Sequence, residues 1–233
     1  MEPLGAQNVK EFHDPAVPGR ALRDAGCSVK RFAINKLGDS LANSGTTYAA
    51  DDDPDLVGQA LPFSLKLVEG LLAESPEHRR LLFTAASGFT EYAYIYVQQE
   101  ADLIEKQDLD KATALRNRAR RLYLRARGYG LRGLDVRTHG FSRKLRDDPA
   151  SAVGLANMSD VPLLYWTAAA WGAAVGLSED NAGLIADQRI VEALIDRALA
   201  LDPDARPEWR LQNLVVQRRA RWLLATEDDL FLK

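Results

Sequence analysis

The sequence predicts an all-α protein built from stacked antiparallel helix pairs. Apolar residues recur at helical spacing in several long segments. No segment shows the sustained two-residue alternation of β-branched residues that is typical of a strand. The segments between the periodic stretches are short, which favours antiparallel packing of successive helices. The 233 residues are 46% hydrophobic and 27% charged, a composition that can bury a core and argues against disorder.

The N-terminal part divides into an arm and the start of the helices. Residues 1–27 contain three prolines and no helical period, which predicts a loosely ordered arm. Residues 28–233 are expected to form a single helical domain, whose first periodic segment begins near Val29. Asp53 followed by Pro54 predicts an N-cap and a first helical position. The amphipathic helix that follows reaches Leu72 and can kink at Pro62.

The middle of the chain predicts two long helices. Ser75 followed by Pro76 predicts the start of one, which runs to about Glu105. Asp108 predicts the start of the other, which extends to about Arg137. Its last turns are weakened by three glycines, namely Gly128, Gly130 and Gly133.

The C-terminal third predicts a short helix or turn and three further helices. Phe141 to Asp148 is the short segment, and Ser159-Asp160 predicts a cap before Val161-Pro162. The apolar segment from Val161 to Leu177 is expected to be a core helix rather than a membrane span, because Pro162, Thr167 and two glycines interrupt it. The remaining predicted helices cover Asn181 to Leu201 and residues 207–225.

Two similar segments favour a tetratricopeptide-like arrangement. Residues 71–76 and 199–203 each end a helix with small and apolar residues, an acid and a proline. After the first of them, Ala85, Gly88 and Tyr92 follow at spacings of three and four, which resembles the small–Gly–Tyr ladder of a tetratricopeptide-type pair. An ordinary helical bundle remains the alternative.

The composition predicts neither a metal centre nor an enzyme. The formal net charge of -3 gives no global attraction for nucleic acid or an anionic membrane. Cys27 is the single cysteine, and the three histidines lack metal-ligand spacing. The first 26 residues lack the apolar core of a signal peptide. No nucleophile or acid–base pair occurs in a recognisable catalytic motif, so no catalytic residue and no cofactor is predicted.

Two charged clusters have competing interpretations. Asp51, Asp52, Asp53 and Asp55 are a candidate cation site, but the ligand order of a calcium loop is missing and helix capping is favoured. The arginines between residues 116 and 137 are a candidate phosphate-binding face. They do not share one side of the helix, and acids lie just upstream of them, so an ion-paired surface is favoured.

Five aromatic residues on two long helices are the candidate ligand site. They either pack in the core or border an apolar cavity between helix pairs, and the pattern leaves both interpretations open. These residues are Tyr92, Tyr94, Tyr96, Trp166 and Trp171.

Several ordered blocks resemble one family, the T-component (TatT) of tripartite ATP-independent periplasmic (TRAP) transporters. The blocks together cover roughly residues 25–233; they are residues 27–42, 48–56, 61–67, 88–94, 162–172 and 217–224. The resemblance implies a periplasmic lipoprotein with tetratricopeptide-like helix pairs. It also implies a homotrimer, a hydrophobic pore through each protomer, and docking of a TRAP-type substrate-binding protein.

The resemblance assigns roles by position. Cys27 stands where the lipidated cysteine belongs, and four of the aromatic residues, Tyr92, Tyr94, Trp166 and Trp171, fall in blocks that could line the pore. The chain is expected to be shortened near residues 204–206, where the Asp-Pro end of one helix runs almost directly into the C-terminal signature. The predicted function is a non-enzymatic accessory component of solute uptake that binds or conducts a small apolar or amphipathic ligand. The alternatives are a generic helical-repeat scaffold for protein partners and, less favoured, an arginine-rich nucleic-acid binder.

Overall fold

The computed structural model describes residues 34–40, 51–178, 181–202, 217–218 and 221. Every regular element in these ranges is helical, which confirms the all-α prediction for this part of the chain. The predicted arm, Cys27 and most of the predicted helix 207–225 lie outside the described residues.

The helices follow one another with short connections. Residues 34–40 form a helical segment ahead of them. The elements after it are α1 (Pro54–Glu74), α2 (Arg79–Ala93), a π-helical turn (Tyr94–Gln98), α3 (Gln99–Ile104), α4 (Leu109–Arg137), α5 (Phe141–Asp147), α6 (Pro149–Gly154), a 3-10 turn (Met158–Asp160), α7 (Val161–Gly176), α8 (Ala182–Ile185) and α9 (Gln188–Ala200).

Two of the predicted N-caps are confirmed. The Asp53 carboxylate accepts a hydrogen bond from the Leu56 N–H at 2.9 Å, and Asp108 does the same for Lys111. These bonds satisfy N–H groups that the first helical turn leaves unpaired. The capping interpretation of the Asp51–Asp55 cluster therefore has direct support at Asp53.

The prediction for Ser75 is wrong, whereas Asp160 stands at the predicted N-cap position before Val161 but makes no side-chain cap. Ser75 ends α1, and its hydroxyl donates to Asn35 instead, while the Nδ1 atom of His78 caps α2. Asp160 makes no side-chain cap on α7, because its carboxylate pairs with Arg79 and Arg137. In both cases a distant partner holds the side chain that a cap would have used.

The C-terminal predictions need one correction. The helix predicted from Asn181 to Leu201 is divided into α8 and α9 by a turn after Ile185. Asn181 caps α8 by accepting a hydrogen bond from Leu184. The segment after α5 forms a separate helix, α6, which Asp148 caps through Ser151.

Helix α7 lies at the centre of the core. Most of its side chains are buried, as the apolar sequence of a core helix predicts. It packs against α2, α4 and α9, and α4 also packs along α2. The contacts of α4 with α7 run in opposite order, from Gly133 beside Leu163 to Arg127 beside Trp171. The two helices are therefore antiparallel.

Helix α4 approaches α7 closely at two glycines. A Cβ atom on Gly130 would overlap the Thr167 hydroxyl, and one on Gly133 would lie 2.9 Å from a Leu163 methyl group. Gly128, which faces open space, has no such neighbour. The glycines that weaken the helix by propensity thus include two that its packing requires.

Helix α1 has two apolar faces. Five of its residues are buried against the core, namely Val57, Leu65, Val68, Leu71 and Leu72. A separate face exposes Leu56, Phe63 and Leu67, which are spaced by seven and four residues. By length and composition alone α1 could cross a membrane, which the sequence analysis did not predict, although core helices pass the same test.

The arginines of α4 are largely paired, as the ion-paired interpretation predicted. Arg116 binds Asp102 at 3.0 Å and Glu105 at 2.8 Å, across the connection between α3 and α4. Farther along the helix, Arg125 and Tyr129 both bind the Glu69 carboxylate of α1. The charges of α4 therefore tie it to its neighbours.

Glu69 is the centre of a polar cluster between α1 and α4. Lys66 lies 2.7 Å from its carboxylate, and the Tyr129 hydroxyl donates to it at 2.6 Å. Burial raises the pKa of Glu69, but the hydrogen bonds from Lys66 and Tyr129 and the charge of Arg125 outweigh this effect. The pKa therefore falls below its ordinary value of 4.5.

We expect this cluster to make stability depend on pH. A carboxylate whose pKa is lower in the folded state stabilises it above the unfolded-state pKa, and this stabilisation is lost as the pH falls through the folded-state pKa. The variant Glu69→Gln should therefore lose about 1–2 kcal/mol of unfolding free energy at pH 7. The difference from the wild type should shrink below about pH 4.5. Urea unfolding from pH 7 to pH 3 measures both the loss of stability and its dependence on pH.

A matched control is Glu100→Gln, which changes an exposed ion pair with Lys111. Exposed pairs contribute little, so this variant should stay close to the wild type at every pH. A constant difference between Glu69→Gln and the wild type from pH 7 to pH 3 would contradict the role of the charge.

Candidate functional site

The three tyrosines of the candidate site lie near the π-helical turn. The Tyr92 and Tyr96 rings form a tilted pair with centroids 5.7 Å apart. The Tyr96 ring packs on Gly58 of α1, where a Cβ atom would lie 2.6 Å from it. Burial and the nearby charges of Asp55 and Asp51 raise the pKa of Tyr96, so its hydroxyl stays protonated. Tyr94 points elsewhere and is half-exposed.

Tyr92 is also held by an arginine of α4. The Arg118 guanidinium carbon lies 5.8 Å from the Tyr92 ring centroid, and Nη2 donates to the tyrosine hydroxyl at 3.2 Å. The ring is partly buried and packs beside core residues of α2 and α4. At this end of the molecule the tyrosines therefore fasten α1, α2 and α4 together.

The two tryptophans lie on α7. Trp166 is partly buried, and Tyr165 meets it edge-on with ring centroids 5.1 Å apart. Trp171 is buried, and its indole N–H donates to the Asp187 carboxylate at 3.1 Å. Asp187 directly precedes α9, so this bond joins α7 to the start of α9.

An arginine of α4 completes the surroundings of Trp171. The Arg127 guanidinium carbon lies 4.7 Å from the Trp171 ring centroid, a cation–π distance. Its Nη1 atom is 3.9 Å from the Asp187 carboxylate. Burial lowers the pKa of Arg127, the charge of Asp187 acts against this, and Arg146 adds to it. Arg127, Trp171 and Asp187 thus form one charged and aromatic group, which we call the Arg127 cluster.

The five predicted aromatic residues do not meet in one place. Among the described residues, no ring contact joins the tyrosines near the π-helical turn to the tryptophans of α7. A surface depression of about 330 Å³ lies elsewhere, between α5 and α6. Polar groups and one leucine line it, namely Lys144, Asp147, Asp148, Ser151 and Leu155.

Sequence reasoning missed two groups that the structure shows. One is the Arg127 cluster, since Asp187 was placed inside a continuous helix. The other is the ionic group of Asp160 with Arg79 and Arg137, which joins the start of α7 to α2 and α4. The described residues contain no group of three acidic, histidine or cysteine side chains that could hold a metal ion.

Comparison with known proteins identifies the family. The sequence model of the TRAP transporter T-component family matches residues 50–204 and 187–231. The chain belongs to the TRAP transporter T-component family. An uncharacterized protein of Treponema pallidum (strain Nichols) is 29% identical over 197 residues, which cover 77% of this chain and 61% of that relative. The chain thus matches less than two thirds of the length of this relative.

The family match confirms the resemblance at the level of the family. The residues matched to the T-component include both aromatic groups and the Arg127 cluster, whereas Cys27 lies before them. The two matched stretches overlap over residues 187–204, a segment that therefore fits the T-component pattern twice.

Proposed function

We propose that this protein is a non-enzymatic accessory component of a TRAP-type solute uptake system. The observation that carries the proposal is the match to the T-component family over most of the chain. A periplasmic location follows from that role, and a lipid anchor at Cys27 would hold the protein at the membrane.

The proposed molecular role is to bind or conduct a small apolar or amphipathic ligand. In this proposal residues 28–233 form one domain of tetratricopeptide-like helix pairs, and the ligand lies against the aromatic residues between them. The Arg127 cluster supports the proposal at one point, because a cation held against a buried aromatic ring there reaches solvent.

Internal shortening near residues 204–206 belongs to the same proposal. The double match of residues 187–204 supports it, since a loss between two similar segments leaves one copy that fits both. The coverage of 61% of the relative agrees with this interpretation. Any pore in this chain is then built from fewer helices than in an array without that loss.

We further propose that the protein self-associates, as a trimer, and docks a TRAP-type substrate-binding protein. The exposed apolar face of α1, formed by Leu56, Phe63 and Leu67, supports self-association. It exposes three large apolar side chains on one side of a helix whose other side is already packed, and interfaces between identical subunits are rich in such surface.

The variant Phe63→Glu tests the self-association. Phe63 is 74% exposed and lies between Leu56 and Leu67 on the exposed apolar face of α1. A charge there should disrupt an apolar contact between subunits without affecting the fold. We expect the wild type to sediment as a species of about three times 25.8 kDa, and the variant as a monomer of 25.8 kDa. Sedimentation velocity over a tenfold range of concentration measures this.

Leu103→Glu is the matched control, because Leu103 is equally exposed at 78% but lies on α3. It should sediment like the wild type. A monomeric wild type would contradict the proposed trimer.

Sedimentation velocity also tests docking, in a mixture with the purified TRAP-type substrate-binding protein of the same organism. Two separate boundaries at micromolar concentrations would contradict docking.

A further inference from the structure

The guanidinium of Arg127 has donors that the protein does not use. Its Nε atom is fully buried and has no hydrogen-bond partner. No hydrogen bond of its Nη atoms occurs among the described residues, and the nearest carboxylate oxygen there, on Asp187, is 3.9 Å from Nη1. That distance exceeds the 2.7–2.9 Å of a charge-assisted hydrogen bond. A group with five donors therefore has no acceptor in the described part of the chain.

The nearest carboxylate is already engaged by another donor. The same oxygen of Asp187 accepts the Trp171 indole proton at 3.1 Å. Arg146 adds a second positive charge close enough to lower the pKa of Arg127. Two positive charges, Arg127 and Arg146, thus lie near one carboxylate, that of Asp187. The excess positive charge favours an additional anion.

The cluster is positioned to meet a ligand. The Trp171 ring lies against the guanidinium on one side, 4.7 Å from its carbon atom, and a planar fork held in place is suited to bidentate oxygens. The side chain of Arg127 is 26% exposed and that of Asp187 is 29% exposed, so solvent reaches both. An incoming anion therefore need not displace the core.

We infer that Arg127, held on Trp171 between α4, α7 and the start of α9, binds the anionic head group of an amphipathic ligand, a carboxylate or a phosphate. The inference rests on the proposed ligand binding and defines the chemistry of that ligand. Arg127 donates to the head group, and Asp187 competes with the head group for the cation.

Calorimetric titration of the full chain tests this with three probes of eight carbon atoms each: octanoate, octyl phosphate and octanol. We expect the two anions to bind at least tenfold more tightly than the alcohol. Arg127→Met should remove that preference, so that the two anions bind no more tightly than octanol does to the same variant. Asp187→Asn should strengthen anion binding, because the amide oxygen still accepts the indole proton while the competing charge is gone. The ratio of octanoate to octyl phosphate affinity shows which head group fits.

Arg132→Met is the matched control, since Arg132 also lies on α4 over an aromatic ring, that of Tyr129, which is not one of the candidate ligand residues. It should bind all three probes like the wild type, and thermal unfolding confirms that each variant is folded. Equal binding of the three probes, or an unchanged preference in Arg127→Met, overturns the anion site and leaves ligand binding intact. If none of the probes binds, the ligand-binding half of the proposed function fails as well.

Discussion

Gly130→Ala should lower the free energy of unfolding by about 2–3 kcal/mol, although alanine is the better helix former. The added methyl group would overlap the Thr167 hydroxyl, and it would lie 3.1 Å from the Cβ and 3.3 Å from the Cα atom of Thr167. Thr167 is buried, and its hydroxyl donates to the Leu163 carbonyl of its own helix, so it has no free space to move into. The conflict must be relieved by moving α4 away from α7. Urea unfolding followed by far-UV circular dichroism measures the loss.

The neighbouring glycine of the same helix provides the control. A Cβ atom on Gly128 meets nothing within 4 Å, so Gly128→Ala should stabilise the protein by about 0.5–1 kcal/mol through helix propensity alone. The double variant Gly130→Ala, Thr167→Ala removes the overlapping hydroxyl and should recover part of the loss. Equal stabilisation by both glycine substitutions would mean that α4 and α7 are not in close contact.

The helix starts that the sequence predicted correctly depend on neighbouring residues. Asp53, Asp108 and Asn181 cap N–H groups three residues ahead of them, and such bonds are encoded within one turn of chain. Ser75 and Asp160 carry the same local signal. Their partners Asn35 and Arg79 are 40 and 81 residues away, and no local pattern reveals such partners.

The candidate site likewise has one part that local spacing predicts and one part that depends on distant residues. The pairing of Tyr92 with Tyr96 follows from a spacing of four residues on a helix, and the structure retains it through the π-helical turn. The Arg127 cluster brings together two helices and the turn before α9, which the periodicity did not predict. Arg127 also resembles the other arginines of α4 in sequence, and only its packing shows that it differs from them.

Asp160→Ala should be the most destabilising single change, at about 3–5 kcal/mol. The Asp160 carboxylate is 3% exposed and accepts hydrogen bonds from Arg79, Arg137 and the Asn157 N–H. Burial lowers the pKa of Arg79, the charge of Asp160 acts against this, and Arg137 adds to it. Without the carboxylate the two guanidinium groups face each other in a half-buried site. Urea unfolding at pH 7 measures the loss.

Asp102→Ala is the matched control, because Asp102 also pairs with an arginine but is exposed, and Arg116 keeps Glu105 as a partner. Its effect should remain within about 0.5 kcal/mol.

The triple variant Arg79→Met, Arg137→Met, Asp160→Leu tests whether uncompensated charge or lost hydrogen bonds cause the destabilisation of Asp160→Ala. Replacing a complete buried ionic group by apolar side chains of similar volume is often neutral, whereas removing one member leaves uncompensated charge. We therefore expect the triple variant to be more stable than Asp160→Ala despite its two additional substitutions. If it is equally unstable, the hydrogen bonds from Arg79 and Arg137 to the Ser159 and Leu155 carbonyls, which only the triple variant loses, contribute as much as the relief of the uncompensated charge.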